Sequence, residues 1–140
     1  MRARHDADEL AIMQKSIRIT EEGHLSAWQL VRPGATEGDV IQAASIIGES
    51  GYRIYDDLIH GYGVDIHPPI IDQTCCEYWN SSKPLPAGRS FAEDMAIVVQ
   101  PNPITPDERM GLQVGALTRV TKNGAIPLQE YPMKFVVAKG

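Results

Sequence analysis

A chain of 140 residues has room for one compact domain and not for two comfortable ones. With 43% hydrophobic and 22% charged residues it is ordinary for a folded protein, which excludes wholesale disorder. Thirteen basic against eighteen acidic residues leave a net charge of −5, and no Lys/Arg cluster follows the MRAR start, so no nucleic-acid partner is expected.

Residues 8 to 31 place Leu10, Met13, Ile17, Thr20, His24, Trp28 and Val31 at spacings of three and four. That is one face of a 3.6-residue period, and it predicts a long amphipathic helix on which Trp28 serves packing. Asp6 with Glu9 three positions on fits a capping box. Pro33-Gly34 ends the helix, because proline disfavours helical geometry at Arg32. Thr36 then caps a second helix with an inner face of Val40, Ala43, Ala44 and Ile47, closing at Gly51. The start MRARHDADEL turns acidic at once and offers no apolar signal core, and no apolar run approaches the roughly 20 residues that span a bilayer. A cytoplasmic location and no membrane partner are expected.

After Tyr52 the period changes. Leu58 to Ile66 is rich in Gly, Ile, Val and Tyr and predicts one strand, with Gly61 and Gly63 permitting close backbone approach. Residues 68 to 90 are punctuated by Pro, Ser and Asn and predict a long loop, a length that is usually functional. The loop holds the protein's two cysteines, Cys75 and Cys76. As neighbours without a second Cys/His cluster they build neither a disulfide framework nor a zinc motif, and they read as reduced thiols. Met95–Gln100, Leu112–Thr121 and Met133–Ala138 are β candidates, separated by Pro-rich or Asn-Gly turns. The order predicts an α+β protein in which two N-terminal helices precede a curved, mostly antiparallel sheet.

The chemistry-bearing stretch is HGYGVDIHPPI, residues 60 to 70, with His60 and His67 seven positions apart. It is no phosphate loop, since it lacks the lysine and a following helix start. Tyr62 either lines a pocket or joins the core. Gln100 and Asn102 offer donors and acceptors to an amide or carboxylate ligand, or Asn102 merely stabilises a turn between two prolines. Arg109 and Arg119 either clamp an anionic group or are solvated surface charges.

Four segments, taken in order, resemble one family. DADELAIMQKSIRITEEGHLSAWQLVRPGATEGDV is similar to the first catalytic-domain helix and RPG turn of the creatinase/methionine-aminopeptidase family, the pita-bread fold that includes Xaa-Pro peptidases. HGYGVDIHPPI looks like its HGIGL(x)(x)HE(x)P signature. FAEDMAIVVQPNPIT is similar to the strand L(x)(x)GM(x)(x)(x)(x)EPG, and GLQVGALTRVTKNG to the closing strand G(x)R(x)ED(x)(x)(x)VT(x)(x)G. Residues 1–140 would then be a single truncated domain of that kind.

The resemblance implies a dinuclear site of two aspartates, one histidine and two glutamates, whose carboxylates bridge cations about 3.5–4 Å apart and activate a shared water. Carried over, the histidine ligand is His60, the glutamate positions fall on Gln100 and Gly115, and the strand pair bearing the aspartates is not found. No metal and no cofactor are therefore expected. His67 takes the place of the family's substrate-contacting histidine, but Pro68 replaces the glutamate that follows it.

The expected function is a non-catalytic remnant, or pseudo-peptidase, that binds a small amide or peptide ligand through Tyr62, Gln100 and Asn102. The alternatives are a metal-independent creatinase-like C–N hydrolase with His60 and His67 as candidate catalytic groups, or part of an active Xaa-Pro hydrolase. The family domain is a pseudo-twofold duplication. A half-sheet exposes strand edges and apolar surface, so a homo-oligomer or a partner supplying the missing half is expected.

Overall fold

The computed structural model describes residues 4–130. The β candidate Met133–Ala138 lies outside them. In chain order the elements are α1 (Ala7–Gln29), α2 (Glu37–Ala43), α3 (Ile46–Glu49), β1 (Arg53–Ile54), β2 (Asp57–Tyr62), β3 (Ile66–Asp72), a 3-10 helix (Gln73–Glu77), β4 (Ala96–Val99), β5 (Pro103–Ile104), β6 (Ala116–Thr121) and β7 (Gly124–Pro127). The α+β reading holds: helices first, then an antiparallel sheet.

Both predicted caps form. The Asp6 side chain accepts from the Glu9 N–H at 2.9 Å while Glu9 accepts from the Asp6 N–H at 3.0 Å. Thr36 and Asp39 make the same reciprocal pair ahead of α2. The buried stripe of α1, however, is rotated from the predicted one. Ser16, Ile19, Thr20, Gly23, His24 and Ala27 face inward, whereas Leu10 and Met13 are exposed. Close packing explains the shift: a Cβ on Gly23 would lie 2.7 Å from Ile47, so α1 meets α3 across its smallest residue. The second predicted helix is two. A break at Ala44 and Ser45 separates α2 from α3, while Val40, Ala44 and Ile47 are buried as expected.

A five-stranded antiparallel sheet runs in the order β3-β2-β4-β6-β7, and β1 pairs with β5 in a small second sheet. The strand predicted over Leu58 to Ile66 is instead a hairpin, β2 turning through 63 to 65 into β3. The predicted loop therefore begins only after Asp72, since Pro68 and Pro69 belong to β3 and are joined by a cis peptide bond. Prolines are tolerated there because β3 is an edge strand. The Asn123-Gly124 signal is a real turn, and it leads into β7, a strand the sequence did not suggest.

One sheet face is packed on the helices through Ile59, Ile71, Ile97, Val99 and Val120, which join Ile19, Ala27, Val31, Val40 and Ile47 in a single core. The alternate positions Ile70, Val98, Leu117 and Ile126 are half-buried or exposed. Among the described residues no helix is long and apolar enough to cross a membrane.

Candidate functional site

His60 stands mid-strand on β2, opposite Val98 of β4, which is itself opposite Leu117 of β6. One residue past β4, the Gln100 N–H donates to the Leu58 carbonyl at 2.8 Å. That bond carries the Gln100 side chain to the start of β2, where its Nε2 donates to Asp57 Oδ1. The other carboxylate oxygen, Asp57 Oδ2, lies 4.0 Å from His60 Nε2. His60 Nδ1 sits 3.0 Å from the Gly61 carbonyl. A carbonyl only accepts, so Nδ1 carries a proton and Nε2 is the nitrogen turned to Asp57. Asp57 and His60 are 8% and 6% exposed, which makes this a buried polar knot at the sheet's edge of entry.

Gly115, just before β6, closes the corner from the other side. A Cβ there would lie 3.2 Å from Gln100 Cβ and 3.6 Å from Gln100 Oε1. The fold thus brings together His60, Gln100 and Gly115, three positions spread over 55 residues of sequence. Beside them opens a cleft of about 380 Å³ lined by Asp56, Gln100, Asn102, Gln113, Val114 and Gly115. Asn102 is 5% exposed and its carbonyl accepts from the Tyr55 N–H at 2.9 Å. Asp56 holds a positive φ of 76°, a conformation aspartate tolerates better than most residues.

The other sequence candidates do not join this corner. His67 is exposed, and its Nδ1 lies 2.9 Å from the Pro68 carbonyl. Its ring rests on the two glycines of the hairpin: a Cβ on Gly61 would lie 2.5 Å from His67 Nδ1, and one on Gly63 would lie 3.1 Å from its Nε2. A register shift between His60 and Gly61 separates the two histidines, and no hydrogen bond or ion pair joins them. Tyr62 ends β2 half exposed, away from the cleft lining. Arg119 pairs with exposed Asp94 at 2.5 Å, and exposed Arg109 donates its backbone N–H to Asp107. Trp28 is half-buried and tilted against His24 with ring centroids 6.4 Å apart.

Cys75 is buried and Cys76 half-buried in the 3-10 helix. The Cys75 thiol donates to Cys76, and the Ile54 N–H does so too at 3.2 Å. With nearby Arg53 these bring Cys76 down to about 7, while the same hydrogen bond and burial push Cys75 well up.

The residue that sequence reasoning missed is Asp57. Its signal was present, a carboxylate three positions before His60 at the start of an apolar strand, but alternation alone would turn residues 57 and 60 to opposite faces. An irregularity between Asp57 and Ile59 reverses that. Among the described residues, no three His, Cys, Asp or Glu side chains gather where they could hold one metal ion.

The model of metallopeptidase family M24 matches residues 4–122. The solved methionine aminopeptidase from Rickettsia prowazekii is 23% identical with a TM-score of 0.65, over 84% of this chain and 52% of its own. Prolidase from Pyrococcus furiosus is 24% identical with a TM-score of 0.69, over 93% of this chain and 35% of its own. For prolidase from Pyrococcus horikoshii OT3 the figures are 22%, 0.71, 95% and 35%. The chain thus spans about a third to a half of the length of these structures. At such identities the likeness establishes the fold. No curated protein matches the chain in sequence.

Proposed function

This chain belongs to metallopeptidase family M24, and from that premise we propose that it is a member without dinuclear metal chemistry, a pseudo-peptidase that binds a small amide or peptide ligand in the cleft beside Gly115. The observation that carries this is the bond from Gln100 Nε2 to Asp57 Oδ1. A bridging ligand must present lone pairs to cations; here a donor N–H stands at the first glutamate position, already tied to the nearest carboxylate. Gly115 offers no side chain at the second. His60, the retained histidine, has both ring nitrogens turned to protein oxygens, Gly61 O and Asp57 Oδ2. The residues present do not fit a dinuclear centre.

The amide-rich lining favours binding over turnover. Gln100, Asn102 and Gln113 offer hydrogen bonds to a polar ligand, and no Ser, Cys, Thr, Lys or His stands among the lining residues, whose one carboxylate is Asp56. A metal-free C–N hydrolase would need an imidazole nitrogen within reach of substrate, and His60 is 6% exposed with its Nε2 4.0 Å from Asp57 Oδ2. His67, exposed on the hairpin, stands apart from the cleft lining. Calorimetric titration of the metal-stripped protein with manganese and cobalt tests the reading. No binding below the millimolar range is expected, together with no hydrolysis of Xaa-Pro dipeptides; tight stoichiometric binding with metal-dependent cleavage would overturn it.

We further propose that a second copy of this chain covers the open sheet face. Ile70, Val98, Leu117 and Ile126 lie across β3, β4, β6 and β7 on the side away from the helices, with Ile70 and Ile126 43% and 47% exposed. Pro68 and Pro69 on one edge strand of the described sheet and Pro127 on the other disfavour pairing edge to edge. Face-to-face burial in a symmetric pair would cover this surface without edge pairing.

A further inference from the structure

Cys75 and Cys76, the chain's two cysteines, follow one another in the 3-10 helix Gln73–Glu77, outside the cleft. The fold treats the two sulfurs differently. Cys75 is 2% exposed, whereas Cys76 is half-buried and meets solvent. The Ile54 N–H donates to Cys76 Sγ at 3.2 Å, and Arg53 stands near enough to favour a negative sulfur there. Asp72 lies on the Cys75 side and opposes a negative charge on that sulfur. The Cys75 thiol donates to Cys76, so the proton of the pair is kept on the buried sulfur and the accessible sulfur is the nucleophile.

We infer that Cys76 and Cys75 form a thiol–disulfide exchange site, in which Cys76 takes up one half of a small-molecule disulfide and Cys75 resolves the adduct into a bridge between the two neighbours. This site does not depend on what binds in the cleft. The Cys76 thiolate attacks one sulfur of R–S–S–R, forming Cys76–S–S–R and releasing RS⁻ with the electron pair of the broken bond. Capping Cys76 removes both the hydrogen-bond acceptor and the negative charge that hold the proton on Cys75. Cys75 then gives up that proton and attacks Cys76 Sγ, and the second RS⁻ leaves and takes up the proton as RSH. Counted from two thiols, the protein loses two electrons and two protons, and one disulfide becomes two thiols. Burial of Cys75 sets the order, because a reagent in solution meets Cys76 first.

Consecutive Cα atoms lie about 3.8 Å apart, below the roughly 4.4–6.8 Å that disulfides usually span. A bridge between neighbours is therefore strained, and strained bridges are the readily reduced, reversible kind. Two bonds fasten this helix to the segment that leads into the corner: Ile54 N–H to Cys76 Sγ, and Gln73 N–H to the Asp56 carbonyl at 2.8 Å. Closing the bridge turns Cys76 Sγ towards Cys75 and away from Ile54, so the state of the pair is felt in β1.

The probe is glutathione disulfide, added to the reduced protein and followed by intact mass and by peptide mapping without reduction. A transient glutathione adduct on Cys76 should give way to a species lighter than the reduced chain by two hydrogens, and dithiothreitol should reverse it. The backbone amide signal of Ile54 should move as the bridge forms. Cys75→Ser should stop at a lasting adduct on Cys76, because the resolving sulfur is gone. Cys76→Ser should take up no glutathione. Circular dichroism checks the fold of both variants, and the mass of the parent protein decides without them. A lasting adduct on the parent, a bridge joining two chains, or no reaction would each overturn the inference, as would an adduct on Cys75 in folded Cys76→Ser. An Ile54 signal unmoved in the bridged form would overturn the link to β1.

Discussion

Gln100 and Asp57 are joined by a side-chain hydrogen bond that ties the end of β4 to the start of β2. Gln100→Glu replaces the donor with an acceptor and sets two carboxylates against each other at a part-buried corner. Like charges at that range disfavour joint ionisation, so one must take up a proton or the corner must open. The variant should lose about 1–3 kcal/mol of stability at neutral pH, the cost of an unsatisfied or unpaired buried group. The loss should shrink towards pH 4, where protonation restores a donor. Urea denaturation at the two pH values measures this, and an equal loss at both would show that repulsion is not the cause.

His24 is buried in α1 without a partner for its Nδ1, and burial holds its pKa below the ordinary value of 6.5. The imidazole is neutral in the fold and protonates more readily once unfolded. Below the unfolded value the unfolded state binds the extra proton, so this contribution to stability is present above about pH 6.5 and declines as pH falls. Asp39 titrates in a more acidic range, its carboxyl held down by hydrogen bonds from Thr36, and does not confuse the window. Urea midpoints should therefore rise between pH 5 and pH 7. His24→Leu should flatten that rise, and an undiminished slope would assign it to other groups.

Much of this architecture was legible in the sequence because it rests on local chemistry. The Asp6–Glu9 and Thr36–Asp39 boxes lie within one helical turn, and the Asn123-Gly124 turn needs no distant partner. The β2–β3 hairpin was not legible: residues 63 to 65 sit inside a continuous β-prone run, and only pairing partners reveal the reversal. The α1 stripe was misplaced because Gly23 carries no hydrophobicity, yet it marks the tightest approach to Ile47. The corner was half legible. His60, Gln100 and Gly115 followed from family spacing, whereas Asp57 enters through an irregularity in strand register that no alternation rule can anticipate.

Cys76 should be the reactive thiol. Its pKa of about 7 rests first on the Cys75 thiol's hydrogen bond, then on the Ile54 N–H and Arg53. Alkylation by iodoacetamide, followed by mass spectrometry across pH, should show Cys76 reacting with a midpoint near pH 7 and Cys75 protected. Cys75→Ala removes the principal donor, and the midpoint should move up towards the ordinary thiol value of about 8.5. An unmoved midpoint would give the credit to Ile54 and Arg53.

Gly61 is required by His67. A Cβ on Gly61 would come within 2.5 Å of the His67 carbonyl oxygen, a backbone atom that cannot swing aside. Gly61→Ala should cost about 1–3 kcal/mol, the range for forcing a methyl into packed space. The His67→Ala, Gly61→Ala double variant should recover little, because the clash with the carbonyl remains after the ring is gone. Full recovery would place the constraint in the imidazole.

Association through the open sheet face makes a separate demand on Ile70 and Ile126. Sedimentation velocity over a wide concentration range should find a dimer, and Ile70→Glu with Ile126→Lys should leave a monomer of unchanged thermal stability. Both residues project from strands whose opposite faces pack the core, so charging them leaves Ile71, Ile97 and Val120 undisturbed. A salt-insensitive dimer is expected, since burial of apolar area and not ion pairing would drive it. A monomeric parent at every concentration would sink the self-association reading and leave the cleft untouched, because Gly115 and Asn102 are not among the residues of that surface.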